Sequence, residues 1–208
     1  MARLGSSLKM SQPRAADPGP IAELLPGFTP ENELERQVTS DPVLLDGIAW
    51  GEPRVGHPEG SVAAHVEDLL EELETWDEPP ERRARLRFVA LVHDCFKDDV
   101  IERLPKVSRN HHADRARRFA ERYTNNRDVL TTIQHHDRPY ALWRKMRRKG
   151  SLDDRAFQKM LDDITDLALF VRFVELDGST EGKQPDPIRW LRAELERRGY
   201  QLPQPPRV

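Results

Sequence analysis

LRFVALVHDCFK, residues 86–97, is apolar nearly all round and then sets a histidine and an aspartate side by side, His93 and Asp94. A helix without a polar face belongs in the middle of a fold. His93 follows Val89 and Ala90 by four and three residues and so shares their dry side. Asp94 is then costly, because an unpaired carboxylate taken out of water loses several kcal/mol or more unless it is paired or bound to a cation. The segment predicts a central helix whose end carries a reason for burying ionisable groups.

The rest of the chain frames that helix. It has 208 residues, 33 Lys and Arg against 36 Asp and Glu, a net charge of −3 and a hydrophobic fraction of 37%. One lean domain is expected, long enough to bury a core. No run approaches the roughly 20 apolar residues of a membrane span, and the start lacks the apolar region of a secretory leader, which predicts a cytoplasmic protein and no membrane partner. Cys95, the single cysteine, excludes an internal disulfide and a CxxC zinc site. The near-neutral balance disfavours a nucleic-acid partner while leaving room for a local basic patch.

Five prolines before residue 31 and the closing LPQPPRV predict a flexible N-terminal arm over 1–30 and a tail over 201–208, around an all-α domain at 31–200. Strand-like alternation is scarce. Ser61 caps a helix to about Trp76. Further helices are expected over Glu81–Cys95, His111–Tyr123, Arg127–Asp137, the basic stretch after Pro139, one long run over Asp153–Leu176, and Pro187–Gly199.

Helical phase sorts the histidines. His65 lies in the stripe of Val62, Val66 and Leu69. His112 shares a face with Ala116, Phe119 and Tyr123, whereas His111 lies with Arg115, Arg118 and Arg122. His136 falls with Val129 and Ile133, and His135 does not. Asp177 ends the stripe of Phe170, Phe173 and Val174. Four inward histidines and two inward aspartates are hard to satisfy in so lean a core without a metal. Imidazole and carboxylate ligands without thiolate suit Mn, Fe, Co, Ni, Mg or Zn, one or two ions per chain. Asp94 is the natural bridge between two.

The ordered set, HPEG…H through His65, LVHDCFK at 91–97, NHHADRA at 110–116, QHHDRP at 134–139 and VELDGS at 174–179, resembles the HD-domain metal-dependent phosphohydrolases, an all-helical superfamily. The resemblance implies metal ligands at His65, His93, Asp94, His112, His136 and Asp177, and hydrolysis of a nucleotide or related phosphate ester. Phe96 stands where the family often has glycine. Some relatives are diiron oxygenases with the same ligands, and a non-catalytic nucleotide- or RNA-binding module is a third reading.

Around that set, Lys97 is placed to donate to a phosphate, and Asp137 to orient a ligand or move a proton; a helix-ending lysine and a helix-terminal carboxylate are the plainer readings. Six basic residues and no acidic one occupy 138–149, interleaved with Tyr140, Trp143 and Met146, and make Arg138 and Arg144 candidates for substrate binding alongside Lys183. A solvated basic face is an equal alternative. The glycines of GSTEGK at 178–183 do not make a P-loop, being one residue too close and followed by Gln184 where Ser or Thr is required.

Overall fold

The segment 86–92 is buried at every position, and so is 169–176. These two stretches, buried all round and mostly apolar, are the axis of the molecule, which we describe from a computed structural model over residues 20–53, 60–100, 110–180 and 182–205. Eleven helices and no strand occur among the described residues. They are α1 (Ile21–Leu24), α2 (Glu33–Thr39), α3 (Pro42–Ala49), α4 (Val62–Glu74), α5 (Pro80–Val92), α6 (His112–Ala120), α7 (Arg127–His135), α8 (Arg138–Lys149), α9 (Asp154–Asp163), α10 (Leu167–Asp177) and α11 (Asp186–Arg197). None is long and apolar enough to cross a membrane.

Two cores share α10. Leu169, Phe173 and Leu176 join the larger one, with Leu69, Val89 and Ile133 from α4, α5 and α7. Phe170, Val171 and Val174 turn to a smaller one, with Leu142, Phe157 and Leu191 from α8, α9 and α11. Each fully buried Leu, Ile or Phe contributes about 1.5–3 kcal/mol. Buried charge is paired: Arg87 on α5 meets Glu35 on α2 at 3.0 Å, and Arg172 on α10 meets Glu78 at 2.6 Å.

The Ser61 cap is present, its hydroxyl accepting from the Ala64 N–H at 3.1 Å. Three expectations are corrected. The single helix over Asp153–Leu176 is two, because Asp166 turns its carboxylate onto the Leu169 N–H and starts α10 afresh. The packed region also begins before Glu31. Within the expected arm, Ile21 and Leu25 are buried in the larger core, whereas residues 1–19 lie outside the described residues. Helices α2 and α3 have no counterpart among the expected helices. Asn32 caps α2 by accepting from the Glu35 N–H, and Asp41 caps α3, whose first residue is Pro42. Residues 57–59 of the HPEG stretch and the last three residues also lie outside the described residues.

Candidate metal centre

Five elements bring the six selected side chains together. His65 comes from α4, His93 and Asp94 from the turn that ends α5, His112 from the first position of α6, His136 from the C-cap of α7, and Asp177 from the last residue of α10. His65 Nε2 lies 3.0 Å from Asp177 Oδ1. His93 Nε2 lies 3.1 Å from Asp94 Oδ2 and 3.9 Å from Asp177 Oδ1. The other oxygen of Asp94 looks the opposite way: Oδ1 is 3.3 Å from His112 Nε2 and 3.5 Å from His136 Nε2, and those two nitrogens are 3.3 Å apart. Three groups able to hold a metal result among the described residues: His65–His93–Asp94 and Asp94–His112–His136, joined through one carboxylate, and His111–His112–Asp137 at the rim.

The rings are held from behind. His93 Nδ1–H donates to the Ala90 carbonyl at 3.0 Å, and His136 Nδ1–H to the Ile133 carbonyl at 2.8 Å, so both turn Nε2 into the site. Phe173 of α10 meets both rings edge-on, with centroids 5.1 and 6.2 Å away. Gln134 accepts from Arg117 at 2.8 Å and donates to Asp114 at 3.1 Å, lacing α6 to α7. From the other side α3 presses Gly47 against the Asp94–Cys95 turn so closely that a Cβ there would sit 1.8 Å from the Cys95 carbonyl oxygen.

The electrostatics fit a cation. Burial lowers His93 and so keeps it neutral, opposed by Asp94. Its Nε2 lone pair is fully buried without a hydrogen-bond partner, and so is Asp94 Oδ1. A lone pair facing two carboxylates is repulsive until something positive lies between them. Burial lowers His112 to about 4, whereas His136 is raised to about 9 because Asp94 and Asp137 outweigh its burial. The raised His136 shows that Asp94 favours positive charge on this side of the site, which a metal would supply instead. Burial penalises Asp94 and Asp177 too, yet Lys97 and His136 for the first, and Lys183 and His65 for the second, hold both carboxyls well below the usual range.

The rim differs from the expectation in two respects. His111 is the N-cap of α6 rather than a residue of its outer face; its side chain is 19% exposed against 16% for His112, the rings stack at 5.0 Å, and its Nε2 is 3.5 Å from Asp137 Oδ2. Helical phase does not extend to a cap, so the face shared with Arg115, Arg118 and Arg122 does not describe where His111 lies. Arg144, in contrast, is exposed on α8 with its guanidinium 5.5 Å from the Tyr140 ring, roughly 10 Å along the axis from Asp137 at 1.5 Å per residue. Of the other basic candidates, Lys97 pairs with Asp94, Lys183 Nζ is 3.6 Å from Asp177 Oδ1, and exposed Arg138 opens α8 beside Asp137. His135 turns away, 3.5 Å from Asp163. Phe96 packs edge-on against Phe119, and Cys95 is buried with its thiol pushed up by that burial.

Comparison with known proteins agrees with this geometry. No curated protein and no solved structure matches the chain. The family described as HD domain matches residues 55–171, a span that contains five of the six clustered residues and stops short of Asp177. Because that span is more than half of the chain, and its histidines and aspartate are the ones gathered around Asp94, the chain belongs to the HD domain family, a superfamily of metal-dependent phosphohydrolases.

Proposed function

We propose that the protein hydrolyses a phosphate ester of a nucleotide or related small molecule at a two-metal centre shared through Asp94. The observation that carries this reading is the opposed facing of the two Asp94 oxygens, Oδ2 toward His93 and Oδ1 toward His112 and His136. His65, His93, Asp94 and Asp177 would hold one divalent ion, and Asp94, His112 and His136 the other. When bound, such a pair polarises a phosphoryl oxygen and brings the pKa of a water near neutrality.

The chain's own groups supply the rest. Ala90 and Ile133 carbonyls fix the tautomers of His93 and His136, so the ligand nitrogens need no reorganisation. Lys97 and Lys183 bring positive charge to the two carboxylates and, at the rim, to a substrate phosphate. Helices α6 and α8 both begin here, and neither N-cap, His111 or Asp137, makes a side-chain cap bond, so first-turn N–H groups add to the positive field. Asp137, held near His111 at 3.5 Å, is placed to give or take the proton of the leaving group, and Arg138 to hold the substrate beside it.

A phosphate-release screen over nucleotides, with manganese, cobalt, nickel, magnesium or iron added, tests this. Release by the wild type that disappears in Asp94→Asn is the expected result. Oxygen consumption with bound iron and no phosphate release would overturn it in favour of oxygenase chemistry.

A further inference from the structure

Helix α8 starts at the site and runs away from it with an unusual surface. It holds six of the chain's basic residues and none of its acidic ones, in a chain whose net charge is −3. Lys145 is paired with Asp153 at 2.6 Å, but Arg144, Arg147 and Arg148 have no acidic partner among the described residues and are exposed. Tyr140 is 50% exposed, and its ring stacks on that of Trp143 with centroids 6.0 Å apart and an interplanar angle of 22°. Tyr140, Arg144 and Arg147 fall at i, i+4 and i+7, on one face. The opposite side is already committed, with Leu142 buried against the smaller core.

Basic residues in a last turn are favoured by the helix dipole, which suffices for Arg147 and Arg148 alone. It does not explain Arg144 in mid-helix or a half-exposed tyrosine beside a partly exposed tryptophan. An anionic membrane is a poor match, since surface-bound helices insert an apolar face and this one has spent its own on the core. Stacking rings interleaved with arginines that meet no carboxylate among the described residues match bases and phosphates alternating along a strand. Distance adds to this. Arg144 and Arg147 are roughly 10 and 15 Å beyond Asp137 along the axis, out of reach of a mononucleotide whose phosphate sits at Asp94.

We propose that this face of α8 binds a single strand of nucleic acid, stacking bases on Tyr140 and Trp143 and holding phosphates with Arg144, Arg147 and Arg148, and so leads a polynucleotide to the Asp94 site. The strand-binding half stands by itself; the delivery of an ester for hydrolysis rests on the phosphohydrolase reading above.

The test is fluorescence anisotropy of short labelled single-stranded RNA and DNA with the full-length chain, in EDTA so that no metal-dependent step contributes. Binding of either strand should weaken steeply between about 50 and 200 mM salt. Tyr140→Ala, which removes a half-exposed ring and leaves both cores intact, should weaken it roughly ten-fold. The Arg147→Gln/Arg148→Gln double variant should flatten the salt slope by about 1 to 2. Arg36→Gln, an exposed arginine on α2, should change neither. Absence of binding at the lowest salt, binding unaffected by the α8 variants, or capture of phosphatidylserine vesicles in place of oligonucleotide would overturn the proposal. Failure of the metal centre itself would appear separately, in metal content.

Discussion

Replacing Gly47 with alanine probes how the Asp94 turn is supported. Helix α3 lies against that turn with no room for a side chain: the new Cβ would be 1.8 Å from the Cys95 carbonyl oxygen and 2.8 Å from its carbon, where ordinary contacts begin at 3.4 Å. Helix and turn must part by well over 1 Å. The obstacle is backbone, which has no rotamer to escape into, so the cost lies at the top of the roughly 1–3 kcal/mol typical of overpacking. Alanine recovers about 1 kcal/mol of helix propensity over glycine. A net loss of about 2 kcal/mol corresponds to a Tm lower by roughly 4–8 °C for a chain of this size. Because Cys95 follows Asp94, the displacement also moves the shared carboxylate, and metal affinity should fall about ten-fold or more. Thermal melts with and without metal, beside a metal titration, measure both effects, and Asp46→Ala on the exposed side of α3 controls for propensity. A Gly47→Ala protein that melts at or above the wild type and binds metal as well would refute the reasoning.

Arg87→Ala should destabilise the protein by about 3–5 kcal/mol in urea denaturation, because it strands the fully buried Glu35, and the pair Arg87→Met/Glu35→Gln should recover much of that loss. Tyr123 and Asp41 share a hydrogen bond that burial and the Asp41 carboxylate reflect in a Tyr123 pKa raised to about 12, while burial of Asp41 is outweighed by Tyr123, the Val43 N–H and Arg122, which lower it. The phenol's contribution is therefore full below about pH 10 and lost as pH rises through about 12; the carboxylate's is full above its unfolded pKa of about 3.9 and lost as pH falls through the lower folded value. Tyr123→Phe should remove the alkaline dependence and shrink the acid one in stability measured against pH. Lys97→Met should lower turnover roughly ten- to hundred-fold while metal content is retained; loss of metal along with activity would mean that Lys97 acts by holding Asp94.

The all-round apolar run 86–92 and the stripes behind His65, His112, His136 and Asp177 were legible because burial follows helical period, and the structure brings those side chains to one place. What periodicity cannot carry was not legible. His111 belongs to a cap, and Asp166 breaks what reads as one helix by satisfying a backbone N–H. Residues 20–50 are rich in proline and poor in apolar period, although the spacing of Asn32 and Glu35 and the Asp41–Pro42 pair are start signals that sequence alone displays. Gly47 and Phe173 have no local signature: one matters because α3 approaches a turn far along the chain, the other because α10 crosses behind two histidines.

Counting metal ions per chain in three proteins tests the account most directly: the wild type, His112→Ala/His136→Ala, and Asp94→Ala, each loaded with manganese or iron, desalted and assayed by elemental analysis. Asp94 is expected to serve both groups, so the contents should approach two, one and none. A wild type that retains no metal, or an Asp94→Ala protein that keeps both ions, would contradict the shared centre on which the function rests.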